Sequence, residues 1–92
     1  MMHVKYFAYY RDFTGCKDEV IPAPDSIGDL LHVLADRYGK SVREKLLSPD
    51  GYGLGPDAIV LVNGHNIAHL GMLDAELSDT DTVSIFPIVA GG

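Results

Sequence analysis

The sequence predicts an α+β domain in which a single amphipathic helix lies across a mixed β-sheet. Three observations carry this. β-branched and aromatic runs stand near both ends, VKYFAYY at Val4–Tyr10 and TVSIF at Thr82–Phe86. One strong helical period lies between them, and an Asn-Gly pair directly follows the apolar run AIVLV.

Val4–Tyr10 is predicted as the first strand, with Val4, Tyr6 and Ala8 on one face and Lys5, Phe7 and Tyr9 on the other. Phe13–Lys17 reads as a turn, and Asp18–Ile21 as the return strand of a hairpin. Pro22 and Pro24 lack the N–H that pairing needs and force an extended linker. Asp25 or Ser26 can cap the helix, and Ser26 with Asp29 approximates a capping box. Ile27, Leu30, Leu31, Leu34, Ala35 and Tyr38 then recur at the spacing of one buried helical stripe. Gly39 stands where a left-handed C-cap belongs, and Ser41–Leu47 suits a short second helix.

Ser48–Asp57 holds three glycines and two prolines and is predicted to be irregular. Ala58–Val62 is a continuous apolar run, as in a strand covered on both faces. Asn63-Gly64 is the strongest hairpin signal, with His65, Asn66 and Ile67 starting the return. Met72–Leu77 leads into the acidic turn Ser78–Asp81, and Thr82–Phe86 is the last strand. Hairpin, helix, strand, short strand, strand and tail is the β-grasp, or ubiquitin-like, order. It implies four to five strands, one main helix, and first and last strands paired in parallel at the centre. The expected division is a β-grasp domain over 1–87 and a flexible C-terminal Gly-Gly tail over 88–92.

At 92 residues the chain suits one domain. Its net charge of −6 argues against nucleic acid, whose phosphates it would repel. The same charge suits basic partner surfaces, or serves solubility alone. No stretch reaches the ~18–20 apolar residues of a membrane span, and MMHVKYFAYYRD lacks the pattern of a signal peptide. Both point to the cytoplasm, as does the lone Cys16, which has no disulfide partner within the chain.

The chemistry concentrates at the C-terminus. Pro87 ends the strand ladder, and the six residues Pro87–Gly92 span roughly 20 Å when extended. Gly91 and Gly92 lack Cβ atoms, so they fit a narrow channel and leave the terminal carboxylate sterically open. ATP can activate such a carboxylate as an acyl adenylate, from which a sulfur or amine nucleophile displaces AMP. Two terminal glycines arise by chance in roughly 0.5% of chains. Their weight comes from following this strand order through the apolar lead-in FPIVA.

VKYFAYYRDFTG, DSIGDLL, LVNGHNI and DTDTVSIFPIVAGG together resemble the small subunit of molybdopterin synthase. That subunit is one of the MoaD/ThiS-like sulfur carriers, a group that includes the thiamine-pathway carrier. NGHNIAHLGMLDAEL is similar to the archaeal-type branch, some of whose members also modify protein lysines. The resemblance implies a partner that adenylates Gly92, a ubiquitin-activating-like adenylyltransferase using ATP, and then conversion to a thiocarboxylate. It further implies tail insertion into the large synthase subunit of a heterotetramer, where the sulfur builds the molybdopterin dithiolene. Catalysis would lie in the partners, with no cofactor bound by the carrier itself. Gly92 and Gly91 would form the reacting end. Phe7, Phe86 and Pro87, followed by Ile88, Val89 and Ala90, would face the partner. Arg11 matches a recurring basic residue after the first strand.

Other candidates are weaker. Phe7, Tyr9 and Phe86 could equally be core, since strand aromatics usually are. His65 and His69 are four apart, a metal-binding spacing only on a helix, and no carboxylate or cysteine completes the set nearby, so no metal site is expected. Cys16 has no adjoining histidine and reads as an incidental thiol. Gly51, Gly53 and Gly55 lack the lysine and spacing of a phosphate loop. Lys5, Lys17, Lys40 and Lys45 are the possible acceptors of a modifier.

Overall fold

The computed structural model describes residues 1–88; the expectations attached to Val89, Ala90, Gly91 and Gly92 lie outside the described residues. The elements in order are β1 (Met2–Tyr6), α1 (Tyr9–Thr14), β2 (Asp18–Ile21), α2 (Ile27–Tyr38), α3 (Lys40–Leu46), β3 (Ile59–Val62), β4 (His65–Asn66) and β5 (Thr82–Phe86). Two 3₁₀ turns, Ile67–His69 and Met72–Asp74, lie between β4 and β5. The sheet order is β2-β1-β5-β3-β4. β1 and β5 pair in parallel, with Tyr6 opposite Ile85, and the other pairs are antiparallel. This is the mixed five-stranded β-grasp sheet that the sequence order implies.

The strand expected over Val4–Tyr10 instead runs from Met2 and stops at Tyr6. Met2, Val4 and Tyr6 point into the core while His3 and Lys5 face outward. Ala8 then adopts φ 52°, ψ −134°, and the Tyr10 N–H donates to the Phe7 carbonyl at 3.2 Å. That is the geometry of a type II′ turn, and it redirects Tyr9–Thr14 into a helix. The aromatic pair has strand propensity, but Tyr10 is fully buried and its hydroxyl donates to the Asp57 carbonyl at 2.6 Å. Tertiary packing overrides local preference here.

A left-handed φ on an alanine stores about 1–3 kcal/mol of strain, which exceeds the flexibility cost of about 0.5–1 kcal/mol for glycine. Ala8→Gly is therefore expected to stabilise the fold by about 1 kcal/mol, raising Tm by about 4–8 °C. Thermal or urea unfolding tests this, and an unchanged or lower midpoint would refute it.

α2 follows its sequence signals. The Ser26 side chain accepts the Asp29 N–H at 3.2 Å, and Ile27, Leu30, Leu31, Leu34 and Ala35 are buried. Burying each large aliphatic side chain is worth about 1.5–3 kcal/mol, against tenths for helix propensity. Packing therefore holds α2 on the sheet. Gly39 is not the left-handed cap expected: its φ is 93° but its ψ is −169°. The chain passes straight into α3, and the Gly39 carbonyl accepts the Arg43 N–H at 3.0 Å. Gly39 thus serves as the N-cap of α3, a position that needs an extended ψ.

β3 also departs from expectation, because only one of its faces is sealed. Val60 and Val62 are buried, whereas Ile59 and Leu61 are half-buried on the open face, which no helix among the described residues covers. Asn63 and Gly64 take φ 51° and 85°, as a type I′ hairpin turn requires. The returning strand keeps only His65 and Asn66, because buried Ile67 starts a 3₁₀ turn. Asn63 also clasps the acidic turn: its amide donates to Asp81 and its oxygen accepts the Thr82 N–H, both at 2.9 Å.

Candidate functional site

The described chain runs out of β5 at Pro87 and Ile88, and the architecture there follows from backbone chemistry. The Phe7 N–H donates to the Ile85 carbonyl at 3.1 Å, the last rung of the β1–β5 ladder. Pro87 has no N–H for a further rung, and the Phe7 carbonyl has turned to Tyr10. Both central strands therefore stop at one level. Pro87 is buried, and Ile88 is already 51% exposed.

Around this exit the structure brings Phe7 and Phe86 together. Their rings stack with centroids 4.1 Å apart and planes 11° from parallel, and both are half-buried. Neither is core: Phe7 follows β1 and Phe86 ends β5, each on the uncovered face. Ile59 pairs with Phe86 across β3, which puts it on the same face. Ile59 was not singled out in the sequence. The register set by Asn63-Gly64, with an apolar residue at the outward position of β3, is the signal that finds it. Of the residues expected to face a partner, Phe7, Phe86 and Ile88 are presented, whereas Pro87 is packed inward.

Arg11 frames this site. Its Nε donates to the Tyr6 carbonyl at 2.9 Å, and its guanidinium carbon lies 5.4 Å from the Phe7 ring centre. A cation over an aromatic face is worth about 0.5–1 kcal/mol at an exposed site.

Behind the site Tyr6 is itself anchored. Its hydroxyl donates to Glu19 at 2.7 Å, and Glu19 also accepts from the Tyr38 hydroxyl and, at 2.7 Å, from Arg37. One carboxylate thus ties β2 to β1 and to the end of α2. Burial opposes ionisation of Glu19, but the Tyr38 and Tyr6 hydrogen bonds and the Arg37 charge outweigh it and hold its carboxyl below the usual range. For Tyr38, burial and then the Glu19 hydrogen bond push the phenol up to about 12. Because the folded value of Glu19 lies below the unfolded one, its stabilisation is complete above the ordinary glutamate value of 4.5. It is lost as pH falls through the lowered folded value. Glu19→Gln is expected to cost about 1.5–3 kcal/mol at neutral pH and to flatten the loss of stability on acidification. Urea unfolding of both proteins across the acid range tests this, and parallel pH profiles would refute it.

The lysines, alike in sequence, differ in place. Lys5, Lys17 and Lys40 are exposed. Lys45 lies 4.9 Å from the Tyr9 ring centre and 5.6 Å from that of Phe13, with Asp57 at 3.9 Å. Tyr9 joins this cluster through its hydroxyl, which donates to Asp57. Burial and then that carboxylate push the Tyr9 phenol up to about 12.

His65 and His69 fall on a strand and a 3₁₀ turn, both exposed, so the four-residue spacing is not helical. Among the described residues no three His, Cys, Asp or Glu gather where they could hold a metal, and no helix is long and apolar enough to cross a membrane.

The β-grasp sheet is the fold shared by sulfur carriers and ubiquitin-like modifiers, and comparison with known proteins places the chain in that class. The chain belongs to the ThiS family, whose model matches residues 4–92. Small archaeal modifier protein 3 of Haloferax volcanii is 36% identical over 94 aligned residues, covering 99% of this chain and 98% of the relative. The molybdopterin synthase sulfur carrier subunit of Emericella nidulans is 32% identical, covering 97% of this chain and 94% of that one. The solution structure of small archaeal modifier protein 1 from Methanosarcina acetivorans matches with a TM-score of 0.84 at 29% identity, over 99% of this chain and 95% of that one.

Proposed function

We propose that this protein carries sulfur on Gly92 for molybdopterin synthesis, as the small subunit of molybdopterin synthase. The observation that carries this reading is the stacked Phe7–Phe86 pair, half-exposed beside the strand end from which the tail departs. The folded body, 1–87, is the handle by which partners hold the protein, and 88–92 is the part they act on. A ubiquitin-activating-like adenylyltransferase joins the Gly92 carboxylate to AMP from ATP, releasing pyrophosphate. The outer sulfur of a persulfide then displaces AMP, and a reducing thiol cleaves the S–S bond to leave the thiocarboxylate. That thiol step suits the cytoplasm. The large synthase subunit receives the tail, and the sulfur passes to a pterin precursor to form the dithiolene of the molybdenum or tungsten cofactor. Similarity to a molybdopterin synthase sulfur carrier subunit over nearly the whole chain supports this route.

The second reading is conjugation of Gly92 to protein lysines, favoured by the 36% identity to a small archaeal modifier protein. Both readings share the adenylate and diverge at the nucleophile. Intact-mass measurement of the protein from its own cells separates them: a thiocarboxylate adds about 16 Da, as one oxygen becomes sulfur. Cellular lysines branched through an isopeptide bond to the C-terminal residues of this chain, with no such mass, would overturn the carrier reading in favour of the modifier.

A further inference from the structure

A second apolar surface flanks α2, on the layer opposite the open sheet face that carries Phe7 and Phe86. Tyr52, at 87% exposure, stands at the tip of the loop after α3. It faces the second 3₁₀ turn across a groove of about 290 Å³ lined by Tyr52, Leu54, Met72, Leu73 and Asp74. Met72 is 39% exposed, and neighbouring Leu70 42%.

The Tyr52 loop is tied down by hydrogen bonds. Asp50 accepts from the Ser48 hydroxyl at 2.6 Å and from the Tyr52 N–H at 2.9 Å. The Ser48 hydroxyl oxygen accepts the Gly53 N–H at 2.9 Å, and His32 of α2 holds the Gly51 carbonyl at 2.8 Å. Tyr52 is therefore presented on a loop whose backbone is fixed on both sides. Opposite it, Met72 sits at φ 56°, a conformation that costs a non-glycine residue energy. An exposed aromatic on a hydrogen-bonded loop beside an adaptable thioether is the composition of a recognition surface.

The charge selects the occupant. Asp74 lines the groove, and none of the lining residues is basic. An aromatic face with an aliphatic wall and a carboxylate suits a cation on an apolar stem. We propose that this groove receives an arginine side chain of a partner protein. The guanidinium lies on Tyr52 and toward Asp74, and the stem runs along Met72 and Leu54. This docking surface is separate from the tail exit, so a partner can occupy it while the tail is engaged elsewhere.

The test is an amide NMR titration of the full chain with the blocked peptide ALRLA and its acidic counterpart ALELA. ALRLA is expected to bind with a Kd on the order of a millimolar, shifting the amides of Tyr52, Gly53, Met72 and Asp74. ALELA should bind at least about tenfold more weakly. Tyr52→Ser should abolish these shifts and leave other amides in place, and Asp74→Asn should narrow the gap between the peptides. Equal binding of the two peptides overturns the proposal, as do shifts centred on other residues. Concentration-dependent shifts of the same amides in the protein alone would assign the groove to a second copy, and also overturn it. Tyr52→Ser should still acquire the C-terminal thiocarboxylate, and losing that mass would overturn the separation of the two surfaces. The titration reads the groove without reference to sulfur loading, so either reading of the tail can fail without the other.

Discussion

A chain ending at Gly91 is expected to acquire no sulfur at all. On the proposed function, an adenylating enzyme would bring the terminal carboxylate to the α-phosphate of ATP while holding the folded body at a fixed distance. Removing one residue draws the carboxylate back by about 3.5 Å, and a misplacement of even 1 Å can cost about 10²-fold in rate. We expect a fall of about 10³-fold or more in adenylate formation, read by pyrophosphate exchange, with no mass gain of about 16 Da. Gly92→Ala keeps the length but adds a Cβ beside the reacting carbon, so a partial loss is expected. Both changes lie beyond β5, so unfolding midpoints should agree with the parent within about 0.5 kcal/mol. A shortened chain that still restored cofactor synthesis would end the carrier and modifier readings together.

Phe86→Ala is expected to produce the second large effect, on partner affinity. Truncating an aromatic anchor at the centre of an interface costs about 2–4 kcal/mol, or about 30- to 1,000-fold in Kd with the proposed large-subunit partner. The fold should lose much less, about 1–2 kcal/mol, because Phe86 is half-exposed and its stacking is worth about 0.5–1.5 kcal/mol. Calorimetric titration and urea unfolding of the same variant separate the two losses. Phe7→Ala should behave alike, and the double variant should cost less than the sum, since each ring loses its stacking partner when the other goes. Affinities within about twofold of the parent for both single variants would remove this face from the interface.

The sequence carried the architecture well where one physical signal dominated. The α2 stripe, its Ser26 cap, the Asn63-Gly64 turn and the alternating β5 all stand as their patterns require. It misled where the deciding contact was distant. Tyr9 and Tyr10 have strand propensity, yet Asp57, far along the chain, holds their hydroxyls and helps make that segment a helix. Gly39 signalled a helix end correctly, but the cap geometry depended on α3 following at once. The apolar run at Ala58–Val62 reads as doubly covered, because no local pattern distinguishes an Ile59 on the open face of a sheet from one beneath a helix. For the site, Phe7 and Phe86 were legible as residues but not as a stacked pair, since that needs the parallel register of β1 and β5. Arg11 gained a stated role only once its reach to the Tyr6 carbonyl was known.

The parallel pairing of β1 with β5 also has a mechanical meaning. One strand opens the chain and the other ends just before the tail, so a pull on the tail against the N-terminal strand runs along both strands in opposite directions. The rungs between them are then loaded side by side in shear and must break nearly together, instead of parting one at a time like a zip. Resistance to forced unfolding follows the unfolding rate rather than the equilibrium stability. If partners act on the C-terminus as proposed, these sheared rungs lie directly behind the point of grip.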